Sequence, residues 1–520
     1  MNIQARQFVK NALLCVAASL AMRTVAVTFN TSISLKMGEE GMGLYMLVMS
    51  VYGFAVTFAT SGVHLAVSRR VSEAQAKGDE SLAIAYVRHA LGYASLFGIC
   101  ATLVLFFFAP QIGAYLLRDA RTIPSLRLLG ISMLPLSLST VLNGYFIAKR
   151  KASYNAFLQV FEMAVRIFCI TLFLHLMLPY GIESGCKAIV LGGVFAEISS
   201  FAVFFVLFIA QKRKGRGKSK SGSKAIIKSL ASVAMPMAAS AYVRSGLLTA
   251  EHALIPSKIE QSGRSRKEAL ADYGVLQGMA LPIVLYPTAV LYAVSGLLIP
   301  EFAERAAVGK TDAVRALCRI VLRLTAMFGF GCALVMAVFG EQLGTLLYRS
   351  TAAGQYVWAL APLLPIMFLD HMTDAMLKGL GEQVWTMWVN IFDSVISIVL
   401  VVLLLPIFGA KGYILVIIFA EILNFSLSFG RLLYKVKVKL YAFDWLFCPL
   451  ASAVLTSMFT KILMPQGGGM GALQMILRIV FCAVSYALVW CILSFCERLY
   501  TQKGQRKPKK GRFTHINALL

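Results

Sequence analysis

Two arginines lie near the middle of long apolar stretches, where an ionised side chain is costly unless it serves a purpose. Arg23 falls in the first stretch of the chain and Arg244 in the seventh. A guanidinium can bind a pair of phosphate oxygens through two parallel hydrogen bonds. Each arginine is therefore a candidate for binding an anionic group; the alternative is an ion pair with a carboxylate of the same half. Glu251, two turns after Arg244, either supplies a counter-charge at such a site or lies at the outer end of its helix.

A second group of polar residues flanks the tight turn predicted around Gly379 and Gly381. Counted from that turn, the polar residues of the two adjoining stretches lie at similar depths, and Asp370 and Asp374 are one helical turn apart. Carboxylates with an amide at this depth can hold Na⁺ or take up protons, which predicts an ion-coupling site. The alternative is a polar network that only joins two helices. The predicted coupling residues are Asp370, Asp374, Asn390 and Asp393.

Arg69 and Glu73 are one turn apart at the end of the second apolar stretch. They form either a gate pair or a solvated helix end. Elsewhere the sequence has no HExxH, nucleophile elbow or zinc-ligand spacing, and its ten cysteines include no CxxC pair. We therefore expect no catalytic residue, no metal site and no cofactor.

The elements that carry these residues are about fourteen apolar stretches of about 20 residues or more, long enough to cross a bilayer as helices. With 58% hydrophobic and 14% charged residues, the chain lacks the charge that a water-soluble surface needs. The short loops leave no room for a soluble catalytic domain. The stretches run over residues 8–35, 43–68, 82–110, 123–148, 154–178, 186–210, 227–255, 269–299, 314–339, 357–377, 384–408, 412–434, 444–464 and 473–496.

The net charge of +26 comes from Lys and Arg residues that are concentrated in alternate loops. By the positive-inside rule, the loops on the side of the N-terminus are cytoplasmic, and both termini are expected there. The densest basic runs then face anionic lipids of the inner leaflet, and we expect no nucleic-acid partner. The predicted location is a bacterial plasma membrane.

The two halves of the chain repeat each other. FAEISSF at 195–201 recurs as FAEILNF at 419–425, and Glu73 with Gly78 matches Glu304 with Gly309 at a spacing of 231 residues. An even number of helices per repeat gives both halves the same orientation. At the same spacing the first half has Ser139, Asn143, Gln159 and Glu162 where the second has its predicted coupling residues.

This repeat predicts an all-α membrane protein with two parallel six-helix lobes and two further C-terminal helices. The N-lobe covers residues 1–211 and the C-lobe residues 227–440, separated by a basic linker at 212–226 rich in Gly and Ser. Residues 441–500 form the last two helices, and 501–520 a basic cytoplasmic tail.

The segment SGVHLAVSRRVSEAQAKGD at 61–79 resembles the G-x-P-x-A-x-S-R-x-V-S-E signature of stage V sporulation protein B-like polysaccharide transporters. GEEGMGLYML at 38–47 and residues 262–290 also resemble that family, and the resemblance spans nearly the whole chain. One departure is His64, where the family usually has proline. The family belongs with MATE exporters and lipid II flippases, so the resemblance implies a V-shaped two-lobe transporter with a central cavity.

The resemblance also implies the cargo, a lipid-linked sugar of the cell envelope. A flippase of such a cargo needs cations in its cavity to bind the diphosphate, which Arg23 and Arg244 can supply. The predicted substrate-binding residues are Arg23, Arg244 and, as a counter-charge at the same site, Glu251. We expect alternating access driven by Na⁺, H⁺ or the membrane potential, with membrane lipids and cell-envelope synthesis proteins as partners. The alternatives are a cation-coupled multidrug exporter, a membrane glycosyltransferase or polymerase, and a non-transporting scaffold.

Overall fold

The computed structural model describes residues 3–60, 62–149, 151–212, 223–309, 311–438, 443–463 and 471–505. Within these ranges the chain is helical, as its apolar stretches predict. The longer helices are α1 (Ile3–Thr60), α2 (Val63–Ala76), α3 (Glu80–Phe107), α4 (Ile123–Ala148), α5 (Ala152–Met177), α6 (Ile182–Lys212), α7 (Ser223–Glu260), α8 (Arg266–Gly274), α9 (Thr288–Ala307), α10 (Thr311–Tyr348), α11 (Thr351–Leu360), α12 (Leu364–Gly379), α13 (Gln383–Phe408), α14 (Ala410–Val436), α15 (Cys448–Leu463) and α16 (Ala472–Gln505).

The chain turns at Gly38, between the first two predicted stretches, and two later predicted helices are interrupted. Gly38, with φ 70° and ψ −179°, divides α1 into a first arm before it and a second arm after it. The second predicted stretch is broken before α2, where Gly62 has φ +67°. The eighth, expected as one helix, consists of α8, a π-helical segment, a short helix over Leu281–Val284 and α9, and it bends by 58° beyond that short helix. Pro287 stands at the bend and cannot donate a backbone hydrogen bond, which accounts for the break.

The number of membrane crossings is compatible with the expected fourteen. Eleven helical segments of the described chain are long and apolar enough to span a bilayer, and the bent pair α8–α9 makes twelve. One of the eleven, Cys15–Ala76, contains both arms of α1, and the short apolar helix Trp445–Thr460 is an additional candidate.

Each half packs as a bundle. In the first, α3 packs on α4, α4 on α6, and α5 on α6. In the second, α7 packs on α13, α10 on α11 and α12, and α14 on α12 and α13. Helices α15 and α16 lie outside this bundle against α10, where the Tyr486 hydroxyl donates to the Met327 carbonyl oxygen at 2.9 Å.

Two faces of the molecule are named from this arrangement. The linker face is the side on which α6 ends and α7 begins, and the far face is the side on which Gly38 turns the chain. Most of the predicted linker, residues 213–222, and the tail from residue 506 lie outside the described residues.

Candidate functional site

The two lobes meet at a cavity of about 280 Å³, which we call the central cavity. It lies between the second arm of α1, α7, α8 and the π-helical segment that follows α8. Thr249 donates to the Ser50 carbonyl oxygen at 2.8 Å, and the hydroxyl of Thr57 to that of Ser245 at 3.3 Å, so both contacts cross from one lobe to the other. The cavity is lined by Met46, Met49, Ser50, Gly53, Ser245, Leu248, Thr249, His252, Tyr273 and Gln277.

The far face is closed by direct backbone packing of α1 on α8. A Cβ atom on Gly274 would lie 2.2 Å from the carbonyl oxygen of Glu39, which only glycine permits. Around this contact, Arg266 donates to the carbonyl oxygen of Leu117 at 2.7 Å, and the carboxylate of Glu40 lies 3.8 Å from the Lys267 ammonium. The same Glu40 carboxylate pairs with Arg121 of its own lobe at 2.7 Å and is thereby oriented.

The linker face is closed by α2 against α7. Arg70 donates to the carbonyl oxygen of Ser229 at 3.2 Å and to the hydroxyl of Ser232 at 3.4 Å. Glu73 holds Arg70 at 2.8 Å and also pairs with Arg69 at 3.0 Å. The predicted pair Arg69–Glu73 therefore forms, but its neighbour Arg70 makes the contact between the lobes.

Arg23 lies beside the bend between α8 and α9. Its guanidinium donates to the carbonyl oxygen of Leu285 at 3.4 Å, and its Nε is buried without a hydrogen-bond partner. The next residue, Thr24, shares a hydrogen bond of 2.8 Å with the Tyr286 hydroxyl and lines an apolar cavity of about 570 Å³. This apolar cavity also touches α10 and reaches Tyr486 on α16. A cationic group therefore stands next to a large apolar space.

Arg244 and Glu251 are placed differently from each other. Arg244 is exposed and lies near enough to Asp393 of α13 to attract it electrostatically. Glu251 is 8% exposed and also interacts with Asp393, whereas its neighbour His252 lines the central cavity. The structure thus associates Glu251 with the carboxylates of the C-lobe and not with the lining of the central cavity.

The predicted coupling residues converge between α12, α13 and α14. The carboxylate of Asp374 accepts from Ser428 at 3.2 Å and from Asn390 at 3.5 Å, and it lies 3.6 Å from the Lys378 ammonium. Asp370 interacts electrostatically with Asp374, Asp393 and Glu421. We call these four carboxylates, Asp370, Asp374, Asp393 and Glu421, the C-lobe acid cluster.

Several polar atoms of this region lack hydrogen-bond partners. The Oδ1 atoms of Asp370 and Asp393, Nε2 of His371 and Oδ1 of Asn424 are buried and unpaired. Buried polar atoms without partners are costly, so the region is suited to receive a cation or protons. Within the described chain, no three His, Cys, Asp or Glu side chains converge closely enough to hold a metal ion as they stand.

Three residues were missed or undervalued by sequence reasoning. Arg70 lies in the same helix end as Arg69 and Glu73, and Arg166 lies one turn after Glu162 in the fifth apolar stretch. Glu421 belongs to the repeated FAEI segment, which suggests a packing role shared by both halves, yet it lies in the C-lobe acid cluster. The repeat carried the missing signal, because Glu162 and Glu197 of the first half correspond to Asp393 and Glu421 of the second.

Comparison with known families gives this arrangement its context. A family model described as polysaccharide biosynthesis protein matches residues 8–305. The chain belongs to this family. A second model, described as MatE, matches residues 262–403. The family resemblance predicted from the 61–79 segment is therefore confirmed.

Curated relatives of this family member come from Bacillus subtilis (strain 168). Stage V sporulation protein B is 25% identical over 515 residues, which cover 97% of this chain and 98% of the relative. Sporulation protein YkvU is 23% identical over 404 residues, covering 75% of this chain and 87% of the relative.

Solved structures confirm the predicted fold class. The lipid II flippase MurJ in an inward closed conformation matches with a TM-score of 0.68 and 12% identity, covering 95% of this chain and 100% of that one. An inward-facing multidrug resistance MATE family transporter matches with a TM-score of 0.63 and 16% identity, covering 82% and 98%. The polysaccharide biosynthesis family member is thus a multi-pass membrane protein with the fold of these transporters.

Proposed function

We propose that this protein is a flippase that carries a lipid-linked oligosaccharide or peptidoglycan precursor across the plasma membrane by alternating access. The observation that supports this most is the position of Arg23, an intramembrane cation directly beside an apolar cavity of about 570 Å³. A polyprenyl-diphosphate sugar has both matching parts, an anionic head and a long apolar chain. The lipid II flippase among the structural matches supports the same cargo class.

In this proposal the linker face and both termini are cytoplasmic, as the distribution of basic residues indicates. The N-lobe at 1–211 and the C-lobe at 227–440 rock against each other around the central cavity. Arg23 and Arg244 bind the diphosphate, and Arg70, held by Glu73, closes the cytoplasmic side. The protein makes and breaks no covalent bond of its cargo, so it has no catalytic residue.

The C-lobe acid cluster couples transport to a cation in this scheme. Na⁺ or a proton bound at Asp393 offsets the charge of that carboxylate, which then no longer attracts Arg244. A freed Arg244 turns to the anionic head, so the occupancy of the cation site and the occupancy of the cargo site are linked. Counterflow in sealed vesicles with an imposed Na⁺ or H⁺ gradient distinguishes the two ions.

The decisive test is translocation of a fluorescent polyprenyl-diphosphate sugar in proteoliposomes. We expect Arg23→Ala to reduce the initial rate by about 10- to 100-fold, because a hydrogen bond to a charged group is worth about 1.5–3 kcal/mol. Arg23→Lys keeps the charge and should retain part of the rate. The matched control is Arg127→Ala, which removes an exposed arginine of α4 that lies over the ring of Phe106.

A normal rate in Arg23→Ala, or no translocation by the wild-type protein, overturns the proposal. The second candidate is a cation-coupled multidrug exporter, which the MatE match and the abundant carboxylates of the C-lobe favour. That function predicts export of cationic drugs and raised drug resistance in cells, with little effect of Arg23→Ala.

A further inference from the structure

The N-lobe contains an ion pair at membrane depth that the proposed transport scheme does not use. The guanidinium Nη2 of Arg166 lies 2.7 Å from Glu162 and 2.9 Å from Glu197. The hydroxyl of Tyr52 donates to the same Glu197 oxygen at 3.4 Å. Three helices therefore meet at one cation, since Glu162 and Arg166 belong to α5, Glu197 to α6 and Tyr52 to the second arm of α1.

This ion pair borders a cavity. The cavity, of about 220 Å³ inside the N-lobe, is lined by Tyr52, Arg166 and Glu197, and Glu197 is only 6% exposed. Met49 lines this cavity and also the central cavity, so the two spaces adjoin at that side chain. The carboxylates thus have both a cation in place and room for another one.

The internal repeat shows what is particular about the N-lobe. Its two carboxylates recur in the C-lobe, Glu162 as Asp393 and Glu197 as Glu421. The residue that corresponds to Arg166 is Ser397, which has no charge. Both lobes therefore carry two acidic residues at equivalent positions. Only the N-lobe has a cationic residue, Arg166, one helical turn after the first of them.

We propose that Glu162, Glu197 and Tyr52 form a second site for a monovalent cation, which the tethered guanidinium of Arg166 fills permanently. The N-lobe then exchanges no ion during the transport cycle, and the C-lobe alone can. Glu197 is buried and Glu162 is partly buried, so removal of the guanidinium leaves two neighbouring carboxylates without their counter-charge and opens the site to Na⁺ or protons. The inference concerns the N-lobe and holds whether or not the C-lobe acid cluster couples transport.

The test is gain of Na⁺ binding in full-length protein in nanodiscs. The parent carries Asp370→Asn, Asp374→Asn, Asp393→Asn and Glu421→Gln, so that the C-lobe acid cluster contributes no signal. The measurement is made at about pH 8, where ordinary carboxyls are ionised. The parent should show no specific binding of radiolabelled Na⁺, that is, no binding that remains in excess choline. Adding Arg166→Ser should give about one Na⁺ per chain, about tenfold above the parent, because the buried Glu197 and the partly buried Glu162 then lack a counter-charge.

Two control variants define the site. Arg166→Lys keeps a tethered cation and should show no gain. Glu197→Gln, added to Arg166→Ser, should remove the gain. Repeating the measurement near pH 6 distinguishes the ligands, since a proton that shares the site lowers Na⁺ binding there. A folded Arg166→Ser protein without extra Na⁺ binding, or an equal gain in Arg166→Lys, overturns the proposal.

The wild-type protein provides a test that does not depend on a variant folding. A hydrophobic carbodiimide modifies accessible membrane carboxyls, and mass spectrometry locates the product. Because Arg166 occupies the site, labelling of Glu162 and Glu197 should be low and independent of Na⁺. Labelling that Na⁺ suppresses in the wild-type protein would show an exchangeable site and contradict the inference.

Discussion

The Glu382 carboxylate joins two helices of the C-lobe at the linker face. It lies in the turn between α12 and α13 and pairs with Lys435 at 2.7 Å and Arg431 at 2.8 Å, both on α14. Its side chain is 13% exposed, and the two cations, Lys435 foremost, lower the pKa of the carboxyl. A lowered pKa in the folded state means that the ionised form stabilises the fold.

We expect Glu382→Gln to destabilise the protein by about 1 kcal/mol near neutral pH, at the upper end for exposed ion pairs. The stabilisation by Glu382 is complete above the carboxyl pKa of the unfolded chain, about 4.3, and is lost as the pH falls through the lower pKa of the folded protein. The difference in Tm between wild type and variant should therefore shrink at acidic pH.

Thermal unfolding in detergent, followed by fluorescence across pH, measures this difference. Glu304→Gln is the control, because Glu304 is an exposed carboxylate at the same face. A Tm difference that stays the same at all pH values would show that Glu382 acts through packing and not through its charge.

Polar and ionisable residues are predictable from sequence where they interrupt an apolar stretch. Asp370, Asp374 and Asn390 stand out for this reason, and the structure places them together. Partners from distant helices were not predictable, because the rotation of one helix against another depends on packing that no local spacing encodes. Arg166 is predictable in part. Its spacing of four residues from Glu162 is typical of an ion pair on one helix, but no local spacing indicates its second ion pair, with Glu197.

At the scale of elements, the closest approach in the far face is between α1 and α8. Gly274 has no room for a side chain, because a Cβ atom would lie 2.4 Å from the backbone nitrogen of Gly43 as well as 2.2 Å from the Glu39 carbonyl oxygen. Gly274→Ala should therefore prevent full closure of the far face and shift the population toward an open state.

Accessibility of the central cavity reports that shift. With the native cysteines replaced, a cysteine introduced at Leu248 lines the cavity and should react about tenfold faster with an impermeant maleimide added at the far face, which corresponds to a shift of about 1.4 kcal/mol. Gly296→Ala on α9 is the matched control, as a Cβ there meets nothing within 4 Å. Equal rates in both variants would contradict the predicted role of the glycine contact.

The existence of the long helices was predictable from the length of the apolar stretches. The positions at which those helices break were predictable only in part. The break before α2 occurs at Gly62 although His64 replaces the proline of the family signature, because glycine adopts the left-handed conformation found there without steric cost. The bend at Pro287 is the opposite case, because a proline is present but the apolar stretch 269–299 predicts one continuous helix.

At the scale of the whole molecule, the two lobes contact each other at both faces, on either side of the central cavity. Arg70 bridges the lobes at the linker face, whereas Arg69, with 63% of its side chain exposed, contacts Glu73 within α2. Arg70→Ala should therefore open the linker face, and Arg69→Ala should leave it closed. The two variants remove the same charge from adjacent positions, which makes each the control for the other.

The measurement is the reaction of a cysteine at Leu248 with an impermeant maleimide added from the linker face of inside-out vesicles. We expect about a tenfold increase in rate for Arg70→Ala, the size that loss of one charged hydrogen bond permits. Equal rates for both variants would show that closure rests on the apolar contacts of α2 with α7.

The two-lobe plan itself was predictable, because a repeat of 231 residues requires two similar bundles. The conformational state of the molecule was not predictable from the sequence. It depends on a few contacts between the lobes, such as Gly274 on Glu39 at the far face and Arg70 on Ser229 at the linker face. Those contacts lie between parts of the chain that are far apart in sequence and have small energies relative to the packing of each lobe.

The interruption at Gly62 separates the two places where one segment of the N-lobe touches its opposite. The second arm of α1 meets α8 at the far face, and α2 meets α7 at the linker face. If this segment were one unbroken helix, tilting it to close the contact at one face would open the contact at the other. The break at Gly62 lets the two parts move independently, so both contacts can form at once. A bound cargo can then be held while no continuous path for ions crosses the membrane.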